Sequence, residues 1–193
     1  MGSGIITELK SKGIVFSQKK RKRKGYHGTS KEISKRILAT GFDFAFANPR
    51  CWLGLGFYFF DNAPFAGSQF ALCFARHSRN ITNAVVLESD LYFKLLLDLT
   101  EPKNRIQFWR LRNLLRRQAA DPNEIDEKFV AFYIGTHIAN AMNSDGVGWE
   151  FELSEPGEKQ QGKKKMQRGF AVKKLSVISS VSHCKVDDRK SLA

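Results

Sequence analysis

The run Phe57-Tyr58-Phe59-Phe60, entered through Gly54-Leu55-Gly56, constrains the chain more than any other segment. Its aromatic content marks a strand, and Asp61-Asn62 ends it. The glycines just before it allow the backbone to approach a neighbour or a ligand closely. Sixteen phenylalanines in 193 residues extend the constraint, because such rings need a packed interior or a flat ligand to cover them. Apolar residues make up 42% and charged residues 26%, which excludes a chain disordered throughout. The length suits one domain, or one domain with a tail.

Around this strand the pattern alternates without regular β-α order. Tyr26-His27 ends a strand, and Gly28-Thr29 forms the turn into a helix over Lys31–Thr40. Ile33, Ile37 and Leu38 give that helix its apolar face. Thr29 and Glu32 have capping-box spacing, and Gly41 is a C-terminal stop. A helix follows over Phe65–Arg76, with Phe65, Phe70, Cys73 and Phe74 inward. Asn83–Glu88 and Leu91–Leu99 read as two strands. Pro102 opens a basic helix to about Gln118, and Phe129–Met142 is helical. Asp145–Gly148 is a turn before a strand at Trp149–Leu153. Residues 154–165 are rich in breakers and read as a loop. Gln167–Val172 and Leu175–Val181 read as closing strands. Short strands mixed with helices predict an α+β fold. Residues 1–24 are expected to form a basic N-terminal segment, residues 25–182 the domain, and residues 183–193 a tail.

Charge narrows the partners. Lys and Arg number 32 against 19 Asp and Glu, a net +13. A surplus of that size favours a polyanion such as nucleic acid. Part of it is the run Lys19-Lys20-Arg21-Lys22-Arg23-Lys24, which nothing local neutralises. Cys51, Cys73 and Cys184 are odd in number and lack metal-ligand spacing, so neither a disulfide framework nor a zinc site is expected. No apolar run reaches the ~18–20 residues of a membrane span. The first residues lack the apolar core of a signal peptide. A cytoplasmic protein with no membrane partner is expected.

Two segments carry the chemistry. Tyr26-His27-Gly28-Thr29-Ser30 places a ring donor and open backbone at a strand end. Gly54-Leu55-Gly56-Phe57-Tyr58-Phe59 offers a ring that can stack on a planar heterocycle. In this order the pair resembles the ADP-ribosyltransferase superfamily, in its diphtheria-toxin-like and poly-ADP-ribose-polymerase-like class. That class carries His-Gly-[Thr/Ser] and, later, Gly-x-Gly-x-Tyr-Phe. The resemblance covers residues 25–182 and implies a split β-sheet core with flanking helices.

What the resemblance implies is NAD as co-substrate, no metal, and transfer of ADP-ribose to a macromolecule. His27 would bond the adenosine ribose, and Gly28 would hold the nicotinamide carboxamide through its backbone. Thr29 or Ser30 would add a hydroxyl. Tyr58 would stack on nicotinamide, with Phe70 as the opposite wall. Tyr26 and Gly56 complete the expected NAD-binding set. The third catalytic element is a late-strand residue. Gln167 is the nearest polar candidate, Gly169 shares its strand parity, and Glu150 and Glu152 are fallback carboxylates. Arg50 is a candidate for the pyrophosphate. Absence of a clear Glu favours transfer of one ADP-ribose unit over polymer synthesis.

Charge tips the expected acceptor toward RNA or single-stranded DNA, with protein as the alternative. A catalytically weak module that binds NAD or nucleic acid is a further one. A related-fold RNA 2′-phosphotransferase would need an Arg–His–Arg–Arg pattern that this sequence does not match. Small single-domain members of the class include toxins of toxin–antitoxin and phage-defence systems. The resemblance therefore also implies a possible inhibitory antitoxin.

Overall fold

The basic run Lys19–Lys24 is a strand. In the computed structural model, which describes residues 2–47, 51–62, 66–153 and 165–186, it forms the first half of β1 (Lys19–Ser30). β1 pairs antiparallel with β3 (Ala84–Asp98), from Lys19 opposite Leu96 to Ser30 opposite Ala84. The neutralising carboxylates come from distant segments. Lys19 and Arg21 reach Glu101 at 2.9 and 2.7 Å, Lys24 reaches Glu88 at 2.6 Å, and Arg23 lies 3.5 Å from Asp61. Partly exposed pairs of this kind contribute about 0.2–1 kcal/mol each, so the ladder holds the strand and the pairs make it tolerable.

The expected domain boundary after residue 24 therefore falls inside β1. The residues before it are also built in. Helix α1 (Gly2–Ser11) and its exit bury Leu9, Ile14 and Phe16 in the main core. Asn104, buried on helix α4 (Pro102–Gln118), fastens this arm. Its Oδ1 accepts from the Ser17 amide at 2.8 Å, and its Nδ2 donates to the Ser17 and Asp98 carbonyls at 2.9 Å.

The sheet runs β1-β2-β5-β4-β3-β6, with β2 (Phe57–Phe60), β4 (Gly146–Leu153), β5 (Lys165–Val172) and β6 (Ile178–Cys184). Because β1 contacts both β2 and β3, five strands close on themselves and β6 lies outside on β3. Only β3–β4 is parallel among these pairings, so the architecture is mixed and agrees with α+β.

Strand parity divides the apolar residues between two cores. Phe57, Phe59, Leu87, Leu91, Phe170 and Val172 fill one, which Ile37 of α2 (Lys31–Thr40) and Phe42 join. Tyr26, Phe60, Val86, Leu97 and Ala171 fill the other. There they meet α3 (Gly67–Cys73), α4, α5 (Glu127–Tyr133) and the short α6 (Ala139–Ala141). Full burial of a ring such as Phe59 contributes about 1.5–3 kcal/mol. The α3 helix continues as a π-helical turn, Phe74–Ser78, and α5 continues as another, Ile134–Ile138.

Four local expectations change. Gly28-Thr29 lies within β1 because Val86 and Val85 pair with it, so Ser30 caps α2 in place of Thr29. The two expected strands at 83–99 are one, since Ser89 and Asp90 are paired on both sides, by Gly25 and Lys24 and by Val181 and Ser180. The expected turn at 145–148 is the start of β4, where Gly146 lies beside Leu96. The closing strand expected at 175–181 begins after a 3₁₀ turn at Leu175–Val177 and runs on to Cys184, into the expected tail. Gly41 stops α2 as expected, with a left-handed φ of 81° and its N–H donating to Ile37 O at 2.7 Å. Residues 154–164, expected as a loop, lie outside the described residues, as does Phe65.

The Asn104 junction yields a stability prediction. Asn104→Ala strands the Ser17 and Asp98 backbone groups, and it should lower unfolding free energy by about 2–3 kcal/mol. Asn113→Ala, exposed on the same helix, should shift it little. Urea midpoints of the two variants, compared with the parent, check this.

Candidate functional site

β1 and β2 are paired at one point, Tyr26 opposite Phe60, and then separate. β2 keeps its other edge on β5 from Phe57 opposite Val172 to Phe60 opposite Gly169. The split leaves the β2-facing edge of His27–Ser30 without a strand partner among the described residues. His27 spans the gap, its Nδ1 lying 2.8 Å from the Tyr58 carbonyl oxygen. A carbonyl only accepts, so Nδ1 carries the proton and Nε2 is left as an acceptor.

The imidazole is enclosed by aromatic rings. Phe42 lies edge-on at 5.4 Å and Phe59 at 5.6 Å between centroids, and Phe57 packs on Phe42 at 4.7 Å. Burial among these rings holds the His27 pKa down to about 4, from 6.5. The Tyr58 hydrogen bond opposes that shift, and the positive charge of Arg79 adds to it. His27 is therefore neutral at pH 7.

Tyr58 is fixed at its other end. Its hydroxyl accepts from the Leu53 amide at 2.8 Å and donates to the Gly54 carbonyl at 2.9 Å. Burial pushes the phenol pKa upward, so it stays protonated. Gly54 has φ of 69°, a left-handed conformation that favours glycine. Lys173, following β5, donates to the Leu53 and Leu55 carbonyls and closes the same turn from beneath. Its burial lowers its pKa to about 8.

A cavity of about 270 Å³ opens at the split. His27, Thr29, Gly56 and Tyr58 line it, together with Arg36 of α2, Asp43, Phe46 and Arg79. Arg36 lies over the Phe46 ring at 3.6 Å, and Arg79 lies 5.9 Å from the Phe74 ring. Neither guanidinium makes an ion pair with a described residue. The cavity thus combines a histidine with an acceptor nitrogen, two cations without an ion pair among the described residues, one carboxylate and aromatic walls. That set suits a ligand with a hydroxyl, an anionic centre and a flat ring. Sequence reasoning missed Arg36 and Arg79. Arg36 is one of several bases on α2 and Arg79 follows a helix end, so only the fold distinguishes them.

Several expected residues lie elsewhere. Phe70 is fully buried and its ring packs on Phe60 at 4.9 Å, which makes it core and not a cavity wall. Tyr26 is buried on the face toward α3. Gly28 is needed there for packing, because a Cβ would run into the Ala71 carbonyl and the Ala75 methyl. Ser30 Oγ accepts from the Ile33 amide at 3.2 Å as the α2 cap. Gln167 is fully buried and its Nε2 donates to the Asp61 carbonyl, beyond the end of β2. Gly169 lies between Phe60 and Trp149 in the sheet. Glu150 pairs with Arg105 at 3.2 Å, away from the His27 cavity, and Glu152 is opposite Met166 in the β4–β5 ladder. Arg50 lies outside the described residues. Among the described residues no group of three or more His, Cys, Asp and Glu side chains converges to hold a metal. No described helix is long and apolar enough to cross a membrane.

No protein-family model matches the sequence, and no curated protein does. Among solved structures, the chain is similar to one in the crystal structure of the M. tuberculosis MbcT–MbcA toxin–antitoxin complex. The identity is 13% and the TM-score 0.45, over 94% of this chain and 92% of that one. The functional reading therefore rests on the geometry at the split.

The neutral imidazole makes stability depend on pH. Between pH 6.5 and about 4 the unfolded chain binds a proton at residue 27 that the folded chain does not. The stability tied to neutral His27 is complete above pH 6.5 and is lost as pH falls through that window. From pH 7 to pH 5 the loss should be about 2 kcal/mol. Urea unfolding at the two pH values should show it, and His27→Gln should lack that component.

Proposed function

We propose that this protein is an NAD-dependent ADP-ribosyltransferase that transfers a single ADP-ribose unit to a macromolecule. One observation carries the reading. The cavity at the split is lined by His27, whose Nε2 is an acceptor, by Tyr58, and by Arg36 and Arg79, which make no ion pair among the described residues. A dinucleotide supplies the matching hydroxyl, diphosphate and planar amide. The His-Gly-Thr and Gly-x-Gly-x-Tyr-Phe resemblance independently supports the same ligand.

In this reading His27 Nε2 accepts from a ribose hydroxyl, and its neutrality keeps it an acceptor across physiological pH. Arg36 and Arg79 hold the diphosphate. The β2-facing edge of β1 at Gly28 bonds the carboxamide, and Thr29 adds a hydroxyl. Gly56 keeps the floor low, and the clamped Tyr58 ring stacks on nicotinamide. The C1′–N bond to nicotinamide breaks and the electron pair leaves with nicotinamide, through an oxocarbenium-like transition state. An acceptor nucleophile then bonds C1′ and releases a proton. Positioning and electrostatics supply the catalysis. Gln167 acts as a positioning residue, holding the end of β2 through Asp61. Nucleic acid is the preferred acceptor, on the strength of the +13 charge. A toxin or phage-defence role with an inhibitory partner belongs to the same proposal, as the resemblance implies it.

Release of labelled nicotinamide from NAD tests the reading. Tyr58→Ala and His27→Ala should each lower turnover about a hundredfold or more in folded protein. Tyr58→Phe keeps the ring and loses only the turn clamp, so its loss should be smaller. Arg79→Ala should act chiefly on KM, because the diphosphate is held alike in the ground and transition states. Parent-like turnover in folded His27→Ala would overturn the assignment.

A further inference from the structure

A second concave surface lies on the face formed by α4, α5 and β4, apart from the His27 cavity. It consists of two cavities of about 380 and 50 Å³ that share Glu127, Trp149 and Glu150 in their walls. The chain has three tryptophans, and all of them line this groove: Trp52 and Trp149 the larger cavity, Trp109 and Trp149 the smaller. Trp149 is anchored by Phe108, at 4.9 Å between centroids. Trp52 and Trp109 each remain 37% exposed. Indoles gathered on one surface and left wet mark a contact surface.

The groove lining sets Arg105, Arg112 and Lys128 against Asp126, Glu127 and Glu150, and the surplus of positive charge lies along the helix beside it. Helix α4 carries six cations and no acid along its 17 residues. Several of its guanidinium groups bond backbone carbonyls and so keep their charge. Arg110 reaches Gly13 at 3.2 Å, Arg112 reaches Ile125 at 3.4 Å, and Arg116 reaches Pro122 at 3.0 Å. Of the six, Arg105 is the one with a carboxylate partner among the described residues. Cations also stand over the rings, with Lys128 5.2 Å from the Trp52 ring and Arg112 5.3 Å from that of Trp109. Stacking surfaces with cations beside them are what a single-stranded nucleic acid requires.

We propose that this groove binds single-stranded nucleic acid, with unstacked bases on Trp52 and Trp109 and the phosphates along α4. Glu127, which makes no ion pair among the described residues, fixes the orientation, because an exposed carboxylate in the lining repels phosphate and accepts from a base amino group. A duplex does not fit the groove, since its bases are already stacked on one another. An acidic protein segment matches the cations but leaves the indoles uncovered. The inference deepens the proposed function by naming the acceptor class and where it docks. Trp52 connects the two sites, since it adjoins Leu53, whose amide bonds Tyr58.

Quenching of tryptophan fluorescence by a mixed-sequence 12-nucleotide RNA or single-stranded DNA, without NAD, tests this directly. Quenching should saturate and weaken with salt. Trp109→Ala and Trp52→Ala should each bind about tenfold more weakly. Arg112→Gln should reduce the dependence of log affinity on log salt by somewhat less than one. Equal affinity for duplex of the same length, equal competition by polyglutamate, or undiminished binding by both folded tryptophan variants would overturn the proposal. Nicotinamide release measured without nucleic acid reads the His27 cavity alone, so failure of either reading is distinguishable from failure of the other.

Discussion

The β1–β3 ladder is the constraint from which the other parts follow. It runs from Lys19 opposite Leu96 to Ser30 opposite Ala84, with an irregularity near its start. One end of β3 receives β4 and the other receives β6, so a single strand sets the register of three neighbours. By holding β1 along one edge, the ladder frees the other edge to leave β2 after Tyr26. The split between β1 and β2 is thus supported from behind. Without that backing, His27–Ser30 would have no reason to remain extended.

What was legible in the sequence were the segments with a strong local signal. Phe57–Phe60, Lys31–Thr40 and Pro102–Gln118 form where aromatic density, capping glycine and an initial proline place them. The first half of β1 was not legible, because six consecutive bases show no apolar alternation. Its strand character comes from Leu91, Phe93 and Leu96 across the ladder and from Glu88 and Glu101 far along the chain. His27 and Tyr58 were legible as a pair through their motifs. The bond between them, and its consequence for the imidazole proton, requires the split. Phe70 and Gln167 were misplaced for a common reason. Spacing specifies which side of a helix or strand a residue occupies, but not whether a core lies there already.

The net charge of +13 divides into two populations. Lys19, Arg21, Arg23 and Lys24 stand opposite carboxylates and serve the sheet. Arg36, Arg79, Arg110, Arg112 and Arg116 have rings or backbone carbonyls as partners, which orient a guanidinium without cancelling its charge. In the longest basic run of the sequence, four of six cations therefore lie beside carboxylates. These arginines are scattered over 80 positions of sequence, from Arg36 to Arg116. The total charge therefore does not say which cations stand without a carboxylate; only the fold does.

The neutral His27 and the cationic rim play complementary parts. A protonated imidazole beside Arg36 and Arg79 would add a third positive charge, buried among aromatic rings, at a desolvation cost. The Phe42 and Phe59 rings enforce neutrality, and the Tyr58 carbonyl decides which nitrogen keeps the proton. The same carbonyl belongs to the residue whose hydroxyl clamps the Gly54 turn, so the imidazole and the turn are held by one residue. A change in the Gly54–Gly56 turn would therefore move both together. That coupling gives the Lys173 contacts with Leu53 and Leu55 a direct hold on the geometry of the cavity.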